Sequence, residues 1–198
     1  MTTFESQLGP GAIHFELGFG MPRLDDQMQD PLSQKEPVEI EFKNGKFKLR
    51  GRIDRVDIVN FFEEQGLLAI DYKTGSMPKS TDIAEGKNVQ LALYTAALTQ
   101  IFKDAKIFGG AFHNVTDSGK MRFFAKIKKR GLKYSEDEAF GDKLAKSLET
   151  VGQFIVAMRN GMFKLMPTAK CPSYCAYRQI CQFSPARQEI KDQTGGQQ

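Results

Sequence analysis

Alternating apolar and polar residues run through the first half of the chain and predict a series of β-strands. The alternation covers residues 13–19, 38–42, a stretch that begins at Lys46, and 66–73. Asn44-Gly45 predicts a tight turn before the third stretch, and a change of phase beside Asp54 predicts a bulge there. The fourth stretch would complete a second hairpin, whose turn is expected between Phe62 and Glu64.

Helical spacing follows these strands. Apolar residues recur at the period of an α-helix over residues 88–102. Further strands are expected over 106–115 and 120–128, before a long helix that runs from Ser135, as its N-cap, to Asn160. This order of elements predicts an α/β (α+β) fold with one central mixed sheet flanked by helices.

Length and composition favour one globular domain over residues 1–198, because 40% of the residues are hydrophobic and 16 are phenylalanine. Residues 21–37 are expected to form a loop, and residues 184–198 a polar tail. No apolar run approaches the roughly 18 to 20 residues that span a bilayer. The N-terminus lacks the pattern of a signal peptide, so a cytoplasmic location is expected. The net charge of +4 leans weakly toward polyanionic partners.

Two short motifs carry the candidate chemistry: Gly51-Arg52-Ile53-Asp54-Arg55-Val56-Asp57 and Ile70-Asp71-Tyr72-Lys73-Thr74-Gly75. Asp71 and Lys73 are two residues apart on a strand, so their side chains leave the same face. Tyr72 points the other way, but its carbonyl oxygen can still reach a metal. The second hairpin would place Asp54 opposite a residue between Asp71 and Lys73, with a Cβ separation of about 4.5–5.5 Å for a direct pair.

Two carboxylates this close repel each other unless a positive charge lies between them. Hard oxygen ligands favour Mg²⁺ or Mn²⁺, and such a cation would lower the pKa of a bound water and neutralise charge on an attacked phosphate. Lys73 would orient or deprotonate that water. Spacing alone leaves open a second interpretation, an exposed salt-bridge network on the hairpin made of Asp54, Arg55, Asp57, Asp71 and Lys73.

The order of these motifs, followed by Gln90-Leu91-Ala92-Leu93-Tyr94, resembles the nuclease domain of the RecB/AddB group in the PD-(D/E)XK superfamily of metal-dependent nucleases. The resemblance covers most of the chain, from about residue 16 to residue 181. It implies a restriction-endonuclease-like core in which Asp54 is the first metal carboxylate. Asp71 and Lys73 would fill the D-x-K positions, and the Tyr72 carbonyl would be a further ligand.

The resemblance also assigns residues outside the two motifs. Glu16 looks like the upstream acidic residue of the family, and Gln90 and Tyr94 match its Q-x-x-x-Y motif. Gln90 and Tyr94 are four residues apart, so they share a helix face and could contact the DNA backbone or brace Lys73. An ordinary helix surface would show the same spacing.

Such nucleases usually carry a metal-binding histidine well upstream of the position of Glu16. Only fifteen residues precede Glu16 here, and His14 does not lie at the matching location. We interpret His14 and His113 as structural or surface residues. The expectation is that the chain is a piece of a longer protein or that its metal site differs.

All three cysteines of the chain lie in the segment 168–183: Cys171, Cys175 and Cys181. They resemble the C-terminal triplet of AddB-type and CRISPR-associated RecB-like nucleases. That resemblance implies a 4Fe-4S cluster completed by a distant N-terminal cysteine. This chain has no fourth cysteine, which leaves adventitious zinc or three reduced thiols as alternatives.

A basic segment runs from Lys120 to Lys133 with seven Lys or Arg residues and no acidic residue. The central side chains of this segment could bind the phosphates of single-stranded DNA; they are Lys126, Lys128, Lys129 and Arg130. Edge-strand lysines that prevent aggregation would give the same pattern.

The leading hypothesis is a Mg²⁺- or Mn²⁺-dependent deoxyribonuclease that acts as an exonuclease on single-stranded DNA ends in repair or recombination. The chain contains no G-x-x-x-x-G-K-[ST] loop, so unwinding would come from a helicase partner or a fused helicase. The main alternative is a DNA-binding or partner-docking module that keeps the fold without cleavage. A third hypothesis, an iron–sulfur electron carrier, has no other support in the sequence.

Overall fold

A computed structural model of the protein describes residues 11–21, 30–61, 63–84, 86–116, 120–130 and 133–162. Its strands are β1 (Gly11–Phe19), β2 (Val38–Phe42), β3 (Gly45–Leu49), β4 (Gly51–Phe61), β5 (Glu64–Lys73), β6 (Ile107–Asn114), β7 (Met121–Ala125), β8 (Ile127–Arg130) and β9 (Lys133–Glu136). Its helices are α1 (Ser80–Ala84), α2 (Gln90–Ile101) and α3 (Phe140–Arg159). These elements all belong to one compact unit, Met1–Arg159.

Five strands form a central sheet in the order β1-β4-β5-β6-β7. β5 and β6 run parallel, whereas the other neighbours run antiparallel. A parallel pair needs a crossover connection, and the segment that contains α1 and α2 supplies it. The predicted α/β architecture with a mixed central sheet is confirmed, and it is consistent with a restriction-endonuclease-like core.

Two hairpins lie outside the central sheet, β2–β3 and β8–β9. The predicted hairpin at Asn44 is confirmed, since Phe42 pairs with Gly45 across it. The single strand predicted from Lys46 onward is wrong. β3 ends at Leu49, and the chain then enters the central sheet as β4.

The predicted bulge beside Asp54 is also wrong. β1 and β4 keep one register from the His14–Val56 pair onward, and the register shift lies in β1, between Ala12 and His14. The change of phase itself is present: Ile53 and Val56, on either side of Asp54, belong to one core cluster that contains α2 residues, whereas Val59 belongs to a cluster on the other face.

The second half of the chain departs from the prediction in two places. The strand expected over 120–128 divides at Lys126 into β7 and β8. Ser135 lies in β9, so the long helix begins later, at Phe140. None of the helices in the described ranges is long and apolar enough to cross a membrane.

Parts of the predicted domain organisation lie outside the described residues. These are 22–29 of the expected loop, the cysteine-containing segment 168–183 and the tail 184–198. The rest of that loop, 30–37, contains an isolated bridge between Phe19 and Gln34.

β5 is the best-buried strand near the candidate motifs. Leu67 and Ala69 pack in the cluster that contains α2 residues, and Leu68 and Ile70 pack in the cluster on the opposite face. A fully buried Leu or Ile side chain contributes about 1.5–3 kcal/mol. The strand is therefore fixed from both faces up to the residue before Asp71.

Candidate active site

The β4–β5 hairpin brings Asp54 next to the D-x-K segment. The two strands pair in register from the turn up to Arg55 and Ile70. Just beyond that pair, the Tyr72 N–H donates to Asp54 Oδ2 at 2.9 Å. The Asp54 carboxylate thus lies beside Asp71 and Tyr72, within the span that the spacing predicted.

Asp71 and Lys73 contact each other and the first turn of α2. Lys73 Nζ lies 2.6 Å from Asp71 Oδ2 and donates to Gln90 Oε1 at 3.0 Å. Gln90 Nε2 donates to Asp71 Oδ1 at 2.5 Å and to the Tyr94 hydroxyl at 3.1 Å. One amide therefore orients both members of the D-x-K pair, and of the two roles expected for Gln90, the contact with Lys73 is present.

The position of Gln90 follows from the way α2 begins. Gln90 is its first residue, and the Asn88 side-chain oxygen accepts the Gln90 N–H at 3.3 Å. Leu91 and Leu98 are buried against the sheet. Gln90 and Tyr94 therefore lie one turn apart on the side of α2 that borders the carboxylates.

The environment of Asp71 disfavours the charged form of its carboxyl group. Asp71 is 3% exposed. Burial raises the pKa of its carboxyl group, the Lys73 ammonium opposes that rise, and the Asp54 charge adds to it. Burial likewise raises the pKa of the Tyr94 hydroxyl, against the effect of its bond to Gln90. A cation placed between the two acids would relieve this cost.

The donor set fits a hard divalent cation. Asp71 Oδ2 accepts no well-aligned hydrogen bond from the described residues, and the Lys73 ammonium is the positive charge that lies beside it. Asp54, Asp71 and the Tyr72 carbonyl offer the oxygen ligands that Mg²⁺ and Mn²⁺ prefer. In the described ranges, no three His, Cys, Asp or Glu side chains converge on one point. A cation bound here would therefore have two carboxylate ligands from the described residues rather than three.

Glu16 lies close in sheet register but has a different partner. Its neighbours in β1 pair with Arg55 and Ile53, so its backbone lies across from Asp54. Its φ is +54°, in the left-handed region that non-glycine residues seldom adopt. Its Oε2 lies 2.7 Å from Arg52 Nε, and the two side chains are 38% and 52% exposed. The structure pairs Glu16 with Arg52 rather than with Asp71 or Lys73.

The alternative of an exposed salt-bridge network is wrong for its buried members. Arg55 is 7% exposed, Asp57 is 1% exposed and Asp71 is 3% exposed. Arg55 and Asp57 also pair with each other, on the face of the hairpin opposite the Asp71 side chain.

Residues that sequence reasoning missed hold the segment between β5 and α1. Asn114 Nδ2 donates to the Gly75 carbonyl at 2.8 Å. The Arg122 guanidinium donates to the carbonyls of Met77 and Pro78. Only the position of Arg122 in a basic segment could have drawn attention to it, and that signal pointed to DNA rather than to a loop. These bonds fix the connection that leads from Lys73 toward Gln90.

The basic segment lies in the β8–β9 hairpin and just before it. Lys126 and Lys129 are exposed and Lys128 is half-buried. Lys129 Nζ lies 5.4 Å from the centre of the Tyr134 ring, a distance that allows a cation–π contact. The side chain of Arg130 is not among those that the structure describes.

This hairpin and the two carboxylates lie toward opposite ends of the central sheet. The Lys126 N–H donates to the Phe108 carbonyl, whereas Phe112, four residues further along β6, pairs with Asp71. At about 3.3 Å per residue, the two levels are separated by roughly 13 Å along the strand.

The two histidines lie within the described residues, and the three cysteines do not. His14 Nδ1 lies 2.9 Å from Asp30 Oδ2, and the His113 ring lies 5.5 Å from the Tyr72 ring. The cysteine cluster expected to bind iron–sulfur lies outside the described residues: Cys171, Cys175 and Cys181.

Comparison with known proteins identifies the family. Residues 12–182 match the PD-(D/E)XK nuclease superfamily. An ATP-dependent helicase/deoxyribonuclease subunit of Clostridium novyi (strain NT) is 31% identical over 146 residues, which are 71% of this chain and 11% of that protein. The corresponding helicase/deoxyribonuclease subunit of Alkaliphilus oremlandii (strain OhILAs) is 44% identical over 64 residues, which are 31% of this chain and 6% of that protein.

The matched segments thus cover a small part of these relatives, 6% and 11% of their lengths. The family match, by contrast, runs through both motifs and the Q-x-x-x-Y pair and covers most of this chain. The chain therefore belongs to the PD-(D/E)XK nuclease superfamily, and it is similar to helicase/deoxyribonuclease subunits over a small part of their length.

Proposed function

We propose that this chain is the nuclease domain of a DNA-repair system and hydrolyses phosphodiester bonds at the ends of single-stranded DNA. The observation that carries the proposal is the buried Asp71 carboxylate, held between Lys73 and Gln90 and beside Asp54. A buried carboxylate beside a second acid, with its pKa raised by burial, is an arrangement typical of functional sites.

In this proposal Asp54, Asp71 and the Tyr72 carbonyl hold Mg²⁺ or Mn²⁺. When bound, the cation supplies an activated water and neutralises charge on the phosphate. The Lys73 ammonium, 2.6 Å from Asp71, competes with any cation for that carboxylate. Once displaced from Asp71, Lys73 would turn toward the phosphate, where its charge would stabilise the developing negative charge.

Gln90 and Tyr94 have supporting roles in the same proposal. The Gln90 amide contacts both Lys73 and Asp71, so it limits the directions in which Lys73 can move. The Tyr94 hydroxyl accepts from the same amide and keeps it oriented. Glu16 would act from further out, because its carboxylate is paired with Arg52.

We place the path of the DNA between the carboxylates and the β8–β9 hairpin. Lys126, Lys128, Lys129 and Arg130 would contact phosphates there without reading sequence. Along the strand direction alone the two groups are roughly 13 Å apart, and the hairpin packs on the face of the sheet opposite Asp71.

The curated relatives are named as helicase/deoxyribonuclease subunits, and we propose that this chain likewise works beside a helicase. A 4Fe-4S cluster on Cys171, Cys175 and Cys181 stays a proposal that rests on the resemblance of the triplet. The visible absorbance of the purified protein separates an iron–sulfur cluster from zinc or free thiols.

Cleavage of end-labelled single- and double-stranded DNA, titrated with Mg²⁺ or Mn²⁺, tests the function. Asp71→Ala should lower the rate by about 10³-fold or more, because the several kcal/mol that a metal supplies are lost. Asp142→Ala, which removes an exposed acid of α3, is the matched control and should cut normally. Equal cleavage by the Asp71 variant would contradict the proposal.

A second candidate function is a non-cleaving DNA-binding module. It is favoured by the pairing of Glu16 with Arg52 and by the lack of a three-acid cluster in the described residues. DNA binding by the wild-type chain, without cleavage at any metal concentration, would establish it in place of the nuclease.

A further inference from the structure

A buried ion pair lies on the face of the β4–β5 hairpin opposite Asp71. Arg55 Nε donates to Asp57 Oδ1 at 2.5 Å, and Arg55 Nη2 donates to Asp57 Oδ2 at 2.6 Å. The two residues are adjacent on one face of β4 because they are two positions apart. This is the two-bond fork that arginine forms with carboxylates.

The same guanidinium reaches the D-x-K segment. Arg55 Nη1 donates to the Tyr72 hydroxyl at 3.1 Å. Tyr72 is the middle residue of the segment, and its backbone N–H is bound by Asp54 Oδ2 at 2.9 Å. Tyr72 is thus held by its side chain on one face and by its backbone at the hairpin seam.

Strand geometry makes this attachment matter for the opposite face. Asp71, Tyr72 and Lys73 project alternately, so rotation of the strand at Tyr72 turns Asp71 and Lys73 as well. β5 ends at Lys73, and the β4–β5 pairing ends at Arg55 and Ile70. The Tyr72 hydroxyl is therefore anchored on the side of β4, where the β4–β5 ladder has ended, whereas the β5–β6 ladder continues to Lys73.

Stability alone does not account for the pair. Replacing a buried ion pair with apolar residues of similar volume is often neutral or stabilising, because desolvation offsets the attraction. A two-bond pair that also spans to a third residue supplies direction, which an apolar contact does not.

We propose that Arg55 is a positioning residue, which acts through the Tyr72 hydroxyl to set the direction of Asp71 and Lys73. Asp57 holds the guanidinium in place for this contact. This role rests on the proposed function, since it concerns the geometry of that same site.

Two variants separate the positioning contact from the ion pair. Tyr72→Phe removes the hydroxyl and leaves the pair, whereas Arg55→Lys keeps the charge beside Asp57 but loses the fork. Both should weaken Mn²⁺ binding, followed by electron paramagnetic resonance, by roughly 10-fold, the loss typical of residues that orient metal ligands. At saturating DNA, kcat should fall by a similar factor while KM for DNA changes little.

The controls address folding and coupling. Val59→Ala opens a gap in the core on the same face of β4 and lowers stability while keeping both partners of the Arg55–Tyr72 bond. It should leave Mn²⁺ affinity and kcat unchanged at a temperature where it is folded. The double variant of Arg55→Lys and Tyr72→Phe should have the Mn²⁺ affinity and kcat of the more impaired single variant, because both changes remove the same contact.

The outcomes distinguish this role from the proposed function. Wild-type protein that binds Mn²⁺ and cuts DNA, with both variants unchanged or with Val59→Ala equally impaired, would overturn the positioning role alone. Wild-type protein that neither binds Mn²⁺ nor cuts DNA would overturn the proposed function, and the positioning role with it.

Discussion

The β4–β5 hairpin carries two buried carboxylates in opposite circumstances. Asp57 is bound by the Arg55 guanidinium through two aligned bonds, and both residues are almost fully buried. Asp71 meets a single ammonium, that of Lys73, whose side chain is 28% exposed. The Arg55–Asp57 pair is buried on both sides, whereas the Lys73 side chain of the Asp71 pair has access to solvent.

The difference shows how one hairpin separates support from reactivity. The planar guanidinium matches both oxygens of Asp57, and this bond raises the pKa of Arg55 beyond its usual range despite burial. The ammonium cannot match Asp71 in that way, and the pKa of Asp71 stays raised. A cation can therefore replace Lys73 at Asp71 far more readily than anything can replace Arg55 at Asp57.

The largest expected effect on stability comes from removing the charge of Asp57, the partner of Arg55. Asp57→Asn leaves the Arg55 charge buried without its counter-charge, which costs about 3–5 kcal/mol of stability. Urea denaturation followed by circular dichroism measures this loss. Replacing both residues together, as Arg55→Leu and Asp57→Val, should recover most of it. A loss below about 1 kcal/mol in Asp57→Asn would mean that the pair is not buried as described.

Replacement of Lys73, the partner of Asp71, should affect activity more than stability. Lys73→Met should lower cleavage by about 10²–10³-fold, since a positive charge near the phosphate is lost. Mn²⁺ affinity should be equal or higher, because the competitor for Asp71 is gone. Lys103→Met, an exposed lysine, is the control. A Lys73 variant that no longer binds Mn²⁺ would show that Lys73 supports the cation instead of competing with it.

A third contrast lies between these buried charges and the lysines in and just before the β8–β9 hairpin, of which Lys126 and Lys129 are exposed and Lys128 is half-buried. Changing Lys126, Lys128 and Lys129 together to Glu should weaken single-stranded DNA binding by at least about 10-fold. The salt slope of log K should fall by about 2, since each contacted phosphate on a single strand contributes roughly 0.7. Stability should change little, because exposed charges contribute little.

Fluorescence anisotropy at several salt concentrations measures both quantities. Reversal of three exposed lysines outside this hairpin, Lys43, Lys48 and Lys103, changes the net charge equally and is the control. Unchanged affinity in the triple variant would leave these lysines with the role of edge-strand charges.

The register of the candidate site could be predicted from the sequence because turn and alternation determine it together. A turn near residue 63 and strands of opposite direction leave Asp54 few positions other than beside Asp71 and Tyr72. The D-x-K spacing then decides which side chains share a face. No tertiary information is needed for either step.

The burial of Arg55 and Asp57 could not be predicted in the same way. Charged residues that alternate along a strand look like a solvent-facing row, and only the packing on the second face of the sheet removes them from water. Ser135 was misplaced for a related reason, since its pairing with Lys128 in the β8–β9 hairpin overrides a local N-cap signal. Both errors concern contacts that the local pattern of residues does not show.

The smallest expected effect is a gain in stability at the candidate site. Burial raises the pKa of Asp71, so the folded state holds that proton more tightly than the unfolded state, and ionisation of Asp71 opposes folding. In the presence of EDTA, Asp71→Asn should therefore unfold at a higher temperature than the wild type. A gain of about 1 kcal/mol corresponds to 2–4 °C in a chain of this size.

The advantage of Asp71→Asn should depend on pH in one direction. It should be absent at acidic pH, where wild-type Asp71 is protonated in both states, and should grow as the pH rises through the range between the ordinary pKa and the raised one. Differential scanning fluorimetry across that range measures it. Saturating Mn²⁺ should reverse the order, because only the wild-type carboxylate gains a ligand. An Asn variant that is less stable in EDTA at neutral pH would mean that the Lys73 ion pair outweighs desolvation, and that the two carboxylates of the hairpin differ less than their geometry indicates.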